Sequence, residues 1–113
     1  MKDKINIKKL LPNNKYMEKK DEMPLPSQKI MQHACKLACT HDKPIMLDYW
    51  VDSHTTGKVV IGVRESEEKI LVRSEEEYTS PISKVYKVGD EFILITENSI
   101  YLVSAKIPTR KIS

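Results

Sequence analysis

From Pro44 to Ile107 the chain reads as six short apolar runs separated by turn residues. In the first run Ile45, Leu47, Tyr49 and Val51 alternate with Met46, Asp48, Trp50 and Asp52, the period of a strand with one buried face. Ser53–Gly57 is a polar turn ending in glycine. Val59, Ile61 and Val63 form the next inward set. Ile70 and Val72 form the third, with Leu71 on the opposite face. Pro81 lacks an N–H, so the fourth strand starts after it, at Ile82–Val88. Gly89-Asp90 turns the chain into Phe92–Ile95, which is apolar on both faces and so reads as covered on both sides. Asn98-Ser99 turns it again into Ile100–Val103.

The connections are short, the usual length for hairpins. Parallel pairing needs a crossover of a dozen or more residues, so the pattern predicts an antiparallel meander of six strands, an open sheet or a small barrel. The expected core is Leu47, Ile61, Val72, Leu94 and Leu102, with Leu37 packed over them.

Leu37 belongs to a helix. Ser27 is a good N-cap after Pro26, and Ile30, Ala34, Leu37 and Ala38 recur at helical spacing, with His41 near the same stripe. Pro44 disfavours helix at Lys43 and ends the element. The fold class is therefore α+β: one N-terminal helix packed on a six-stranded antiparallel β-meander. Residues 1–26 read as an extended or disordered basic arm, 27–107 as the domain, and 108–113 as a basic C-terminal tail.

Charge divides the chain the same way. The net charge is +3. Residues 1–26 hold seven lysines against four acids, residues 27–105 hold nine lysines and arginines against twelve acids, and residues 106–113 add Lys106, Arg110 and Lys111. Basic ends on a slightly acidic body suit an acidic partner or nucleic acid. For nucleic acid the candidate residues are Lys8, Lys9, Lys19 and Lys20, with Arg110 and Lys111 at the other end. The first arm contains no arginine and Tyr16 is its single aromatic residue, which provides poorly for stacking and for bidentate phosphate contacts. No apolar run reaches membrane-spanning length, and the Lys-rich start lacks the apolar segment of a signal peptide. Two cysteines on one helix are no disulfide framework, so a reduced, cytoplasmic setting is expected.

Three constellations invite chemistry. His33, Cys35, Cys39 and His41 suggest zinc, but helical geometry turns His33 away from the cysteine face and no second pair follows; two cysteines half-buried at the edge of the helix stripe are expected instead. Asp48, Trp50 and Asp52 share a strand face, with His54 just beyond. The two carboxylates would stand about 13 Å apart by strand rise, too far to share an ion. The outward Trp50 is more informative, since exposed aromatics anchor partners. Trp50 with Met46 beside it, and Leu25 in the extended Met23–Pro26 run, are the expected protein interface. Ser74–Pro81, with Glu75, Glu76 and Glu77, reads as a solvated acidic connection. There is no Gly-rich phosphate loop, nucleophile elbow or Cys-x-x-Cys pair. No cofactor and no metal are expected.

The stretch Ile70-Leu71-Val72-Arg73-Ser74-Glu75-Glu76-Glu77-Tyr78-Thr79-Ser80-Pro81-Ile82, followed by Thr96-Glu97-Asn98-Ser99-Ile100-Tyr101, resembles small uncharacterised proteins of nucleocytoplasmic giant DNA viruses. The Lys-, Ile- and Glu-rich, Gly-poor composition suits an AT-rich genome of that kind. The resemblance covers the sheet region alone and carries over no functional residue. It implies a role in a virion or in the host cytoplasm. The expectation is a non-enzymatic interaction or structural module of a larger assembly, without membrane contact, and the alternative is a nucleic-acid-associated protein using its basic ends.

Overall fold

A computed structural model describes residues 24–112. Helix α1 spans Gln28–His41. The strands are β1 Ile45–Met46, β2 Val60–Val63, β3 Lys69–Ser74, β4 Glu77–Tyr78, β5 Ile82–Val88, β6 Glu91–Thr96, β7 Ile100–Ser104 and β8 Thr109–Lys111. A 3-10 turn, Asp52–His54, lies between β1 and β2.

The helix starts and stops where local chemistry dictates. Ser27 Oγ accepts from the Ile30 N–H at 3.1 Å and donates to Glu91 Oε1 at 2.7 Å, which ties the helix start to the β5–β6 hairpin. Asp42 closes the other end in the left-handed conformation, φ 56°. Ile30 and Ala34 are fully buried, with Leu37 and Ala38 packed beside them. Cys35 and Cys39, expected to be half-buried, are exposed, as is His41; the buried stripe is narrower than the apolar pattern suggested.

The α+β class holds, but the meander is divided. The strands form two four-stranded sheets, ordered β1-β7-β6-β5 and β4-β3-β2-β8. Helix α1 covers one face of the first sheet through Ile93, Ile95, Ile100 and Leu102. The other face of β6 and β7 presents Leu94 and Val103 to Ile61 and Leu71 of the second sheet. The result is helix on sheet on sheet, with two cores. The sequence reading of Phe92–Ile95 as covered on both sides agrees with this placement.

Two pairings are parallel, contrary to the expectation: β1 beside β7, with Ile45 opposite Ile100, and β2 beside β8, with Ile61 opposite Thr109. The crossover rule is not broken. The connection between each pair is long because it contains the strands in between. Strand β8 also takes residues 109–111 out of the expected tail and into the second sheet. Pro24 and Leu25 are described, and Pro24 contacts the body; positions 1–23 lie outside the described residues.

Residues 47–51 are not a strand. Successive turn bonds run through them, Trp50 N–H to Leu47 O at 3.1 Å and Ser53 N–H to Tyr49 O at 3.0 Å. Leu47, expected in the core, is 45% exposed, and Val51 is exposed too. The buried members are Tyr49, Trp50 and Ser53, the spacing of a helical turn rather than of a strand. In β3 the expected faces are exchanged. Ile61 is opposite Leu71, so Leu71 joins the core between the sheets, while Ile70 and Val72, paired with Gly62 and Val60, face the far side. Ile-Leu-Val is apolar on both faces, and register, which periodicity does not reveal, made the choice.

Candidate functional site

The expected interface at Trp50 does not lie at the surface. Trp50 is 3% exposed and packs in the core beneath the helix. Its indole N–H donates to the Pro24 carbonyl at 2.8 Å, and its ring meets the His54 ring edge-on, centroids 4.4 Å apart. A side chain so enclosed presents no anchor to a partner. Met46 is half-buried, and Leu25 is exposed at 78%.

The carboxylates and imidazole near Trp50 serve the fold. His54 Nδ1 donates to the Trp50 carbonyl at 2.9 Å. The Ser53 hydroxyl also donates to that carbonyl, and accepts from the Ser104 N–H at 3.0 Å, which fastens the turn to β7. Arg73 gathers the rest. It donates to the Asp48 carbonyl at 2.7 Å and to Glu77 Oε2 at 2.8 Å, and stands 3.5 Å from Asp52 Oδ2. Its guanidinium also lies over the Tyr49 ring, 4.8 Å from the centroid. The hydrogen bond from Arg73 holds the Glu77 carboxyl below its ordinary range, and burial pushes the Tyr49 hydroxyl above its own. Among the described residues no group of three or more His, Cys, Asp or Glu is placed to hold a metal, and no helix is long and apolar enough to cross a membrane.

Two of the molecule's concave surfaces bear on binding. The first lies between α1 and β5. The helix covers β6 and β7 but reaches β5, an edge strand of its sheet, only at Val88. The gap is a groove of about 390 Å³. Leu37, Tyr86, Val88 and Ile93 supply its apolar walls, and His33, Lys36 and Lys87 stand along it. Tyr86 is 37% exposed, and Val85 on the opposite face of β5 is exposed as well. Sequence reasoning missed this site. The signal was present in Ile82–Val88, whose apolar residues fall on both faces between lysines.

The second is the far side of the β4-β3-β2-β8 sheet, a hollow of about 540 Å³ floored by Val60, Ile70, Val72 and Ile112. Tyr78, Lys58, Arg64 and Arg110 border it. Arg110, a candidate for nucleic acid, therefore lines a shaped surface, while Lys111 lies apart, beside Val63 and Lys69. The other candidates, Lys8, Lys9, Lys19 and Lys20, lie outside the described residues.

No protein-family model, no curated protein and no solved structure matches the chain.

Proposed function

We propose that the protein is a non-enzymatic interaction module of a larger assembly, and that the groove between α1 and β5 is where it takes a protein partner. The observation that carries this is the open wall of Leu37, Tyr86 and Val88 beside an edge strand with no strand on its outer side among the described residues. Tyr86 is exposed and Leu37 and Val88 are half-buried, and apolar side chains gathered in one concavity, rather than scattered singly, mark binding surfaces. The resemblance to giant-virus proteins makes a virion or virus factory the setting in which to seek the partner.

A second reading has its own support. Arg110, Arg64 and Lys58 border a hollow that also exposes Tyr78, and a cationic surface with an aromatic ring suits single-stranded nucleic acid. Salt separates the two. Phosphate binding weakens steeply with salt, with a log–log slope set by the number of phosphates neutralised. Docking in the apolar groove is far less sensitive.

The test is affinity capture from the native source at two salt concentrations, with and without nuclease. Wild type is compared with Tyr86→Asp and with Arg64→Ala/Arg110→Ala. The expected outcome is a protein retained at high salt and after nuclease, and lost with Tyr86→Asp. Loss on nuclease treatment and with the double arginine variant would establish the nucleic-acid reading in its place.

A further inference from the structure

We infer that β5 is a docking edge for an extended, acidic protein segment, which adds to the sheet as a further strand and lays its side chains into the α1–β5 groove. The inference rests on the interaction-module reading and names the partner's chemistry.

Three observations carry it. The first is the edge. Strand β5 is seven residues long and ends the order β1-β7-β6-β5 with no strand outside it among the described residues. It turns into β6 through Gly89 at φ 60° and Asp90, with Val88 opposite Glu91. In such a two-residue hairpin the flanking pair is hydrogen-bonded and bonding alternates from there. Val88, Tyr86 and Lys84 therefore bond to β6, and the main-chain groups of Val85 and Lys87 face outward. Strand addition uses such an unfilled row, with side-chain pockets beside it for specificity.

The second is the pocket. Tyr86 and Val88 lie on the helix side of β5, since their partners Ile93 and Glu91 lead into the face that α1 covers. An added strand would direct alternate side chains to the same side, toward Tyr86 and Leu37.

The third is charge. Lys36 stands along the groove and Lys84 lies on the same, helix side of β5, while Lys87 borders the groove from a strand position whose side chain alternates to the other face, and among the described residues no carboxylate lines it. Asp90 and Glu91 lie at the turn beyond Val88, and Glu91 is engaged by Ser27. Lysines on an edge discourage self-association. Pairing β5 with β5 of a second copy would place two lysines on each face of the joined sheet, whereas an acidic segment is matched to them.

The probe is a phage-displayed library of random dodecapeptides panned on the full chain, with enriched sequences synthesised and titrated by fluorescence polarisation. Expected are sequences alternating apolar and acidic residues. Their affinity should fall about tenfold or more with Lys84→Glu/Lys87→Glu, because complementary charge becomes repulsion. Val85→Pro should abolish binding while leaving the fold intact, since proline is tolerated where an edge N–H faces solvent. A thermal melt confirms folding of each variant, and hydrogen exchange at Val85 and Lys87 should slow only when peptide is bound. Enrichment of basic or proline-rich sequences, binding indifferent to both variants, or protection of β5 that appears with protein concentration alone would each overturn the inference. If Tyr86→Asp abolishes native capture but no acidic strand emerges from the library, the interaction module stands and this inference falls. If neither probe finds a partner, both fall.

Discussion

Tyr49 and Trp50 are adjacent in sequence and serve different cores. Tyr49 packs between the sheets, edge-on to Tyr101 with ring centroids 5.5 Å apart, and Trp50 packs beneath the helix. Neither is available at the surface. Trp50→Ala should therefore act on stability, costing about 3–5 kcal/mol as buried aromatic truncations do, and urea unfolding measures it. A melt equal to wild type would return Trp50 to the surface. Tyr49 adds a pH dependence. Its hydroxyl is held above the ordinary value near 10 because burial disfavours the phenolate. The stability tied to that proton is complete below the unfolded-state value and is lost as pH rises through the folded-state value. Tyr49→Phe, which cannot ionise, should leave the melt at pH 7 nearly unchanged and make the decline above about pH 10 shallower. Thermal melts from pH 7 to 11 give the comparison. Glu77 works in the opposite direction. Its lowered value favours the folded state above the usual carboxylate range, a benefit lost on acidification, and a weak one because the pair with Arg73 is solvated.

At the scale of elements, what was legible depended on how far the deciding partner lies. Ser27 and Pro44 act on the chain beside them, and the helix falls between them. The β5–β6 and β6–β7 hairpins follow from Gly89-Asp90 and Asn98-Ser99, which are equally local. The run from Leu47 to Val51 alternates as a strand would, yet two cores compete for its rings and the turn wins. The groove was illegible for a related reason: sequence shows an amphipathic helix but not how much of the sheet it covers. The β2–β3 connection offers a direct test of local chemistry. Glu67 holds φ 73° there, while its N–H donates to the Arg64 carbonyl at 2.7 Å. A side chain in the left-handed region costs about 1 kcal/mol or more, and glycine does not pay it. Glu67→Gly should then raise the melting temperature by roughly 4–8 °C per kcal/mol relieved, less the added entropy of the unfolded chain. A lower melting temperature would place Glu67 in another conformation.

At the scale of the molecule, the fold is closed by its last strand. Ile61 N–H donates to Pro108 O at 2.9 Å and Ile112 N–H to Val63 O at 2.8 Å, so β8 fills the open edge of β2. The side chain of Ile112 then lies across Gly62. A Cβ built there would stand 2.7 Å from Ile112 Cδ1 and 3.2 Å from Val72 Cγ2. Glycine at 62 thus serves a close approach rather than a turn. Residues read from sequence as a basic tail therefore seal one sheet and floor the arginine-bordered hollow. Ending the chain at Ile107 should cost about 4–6 kcal/mol, counting the two main-chain bonds at the ends of β8 and the ladder bonds between them at roughly 1 kcal/mol each, with the partial burial of one isoleucine. That is a large share of the 5–15 kcal/mol typical of a domain. Ile112→Ala keeps both bonds and should cost about 1 kcal/mol. Gly62→Ala keeps them too and instead crowds Ile112, for about 1–3 kcal/mol. Urea unfolding of the three variants should order them with the truncation least stable. The bared β2 edge should also make the truncated chain associate as its concentration rises, since an unpaired strand templates pairing. A truncated chain that melts with wild type and stays monomeric would remove residues 108–112 from the fold, and with them the built site for Arg110.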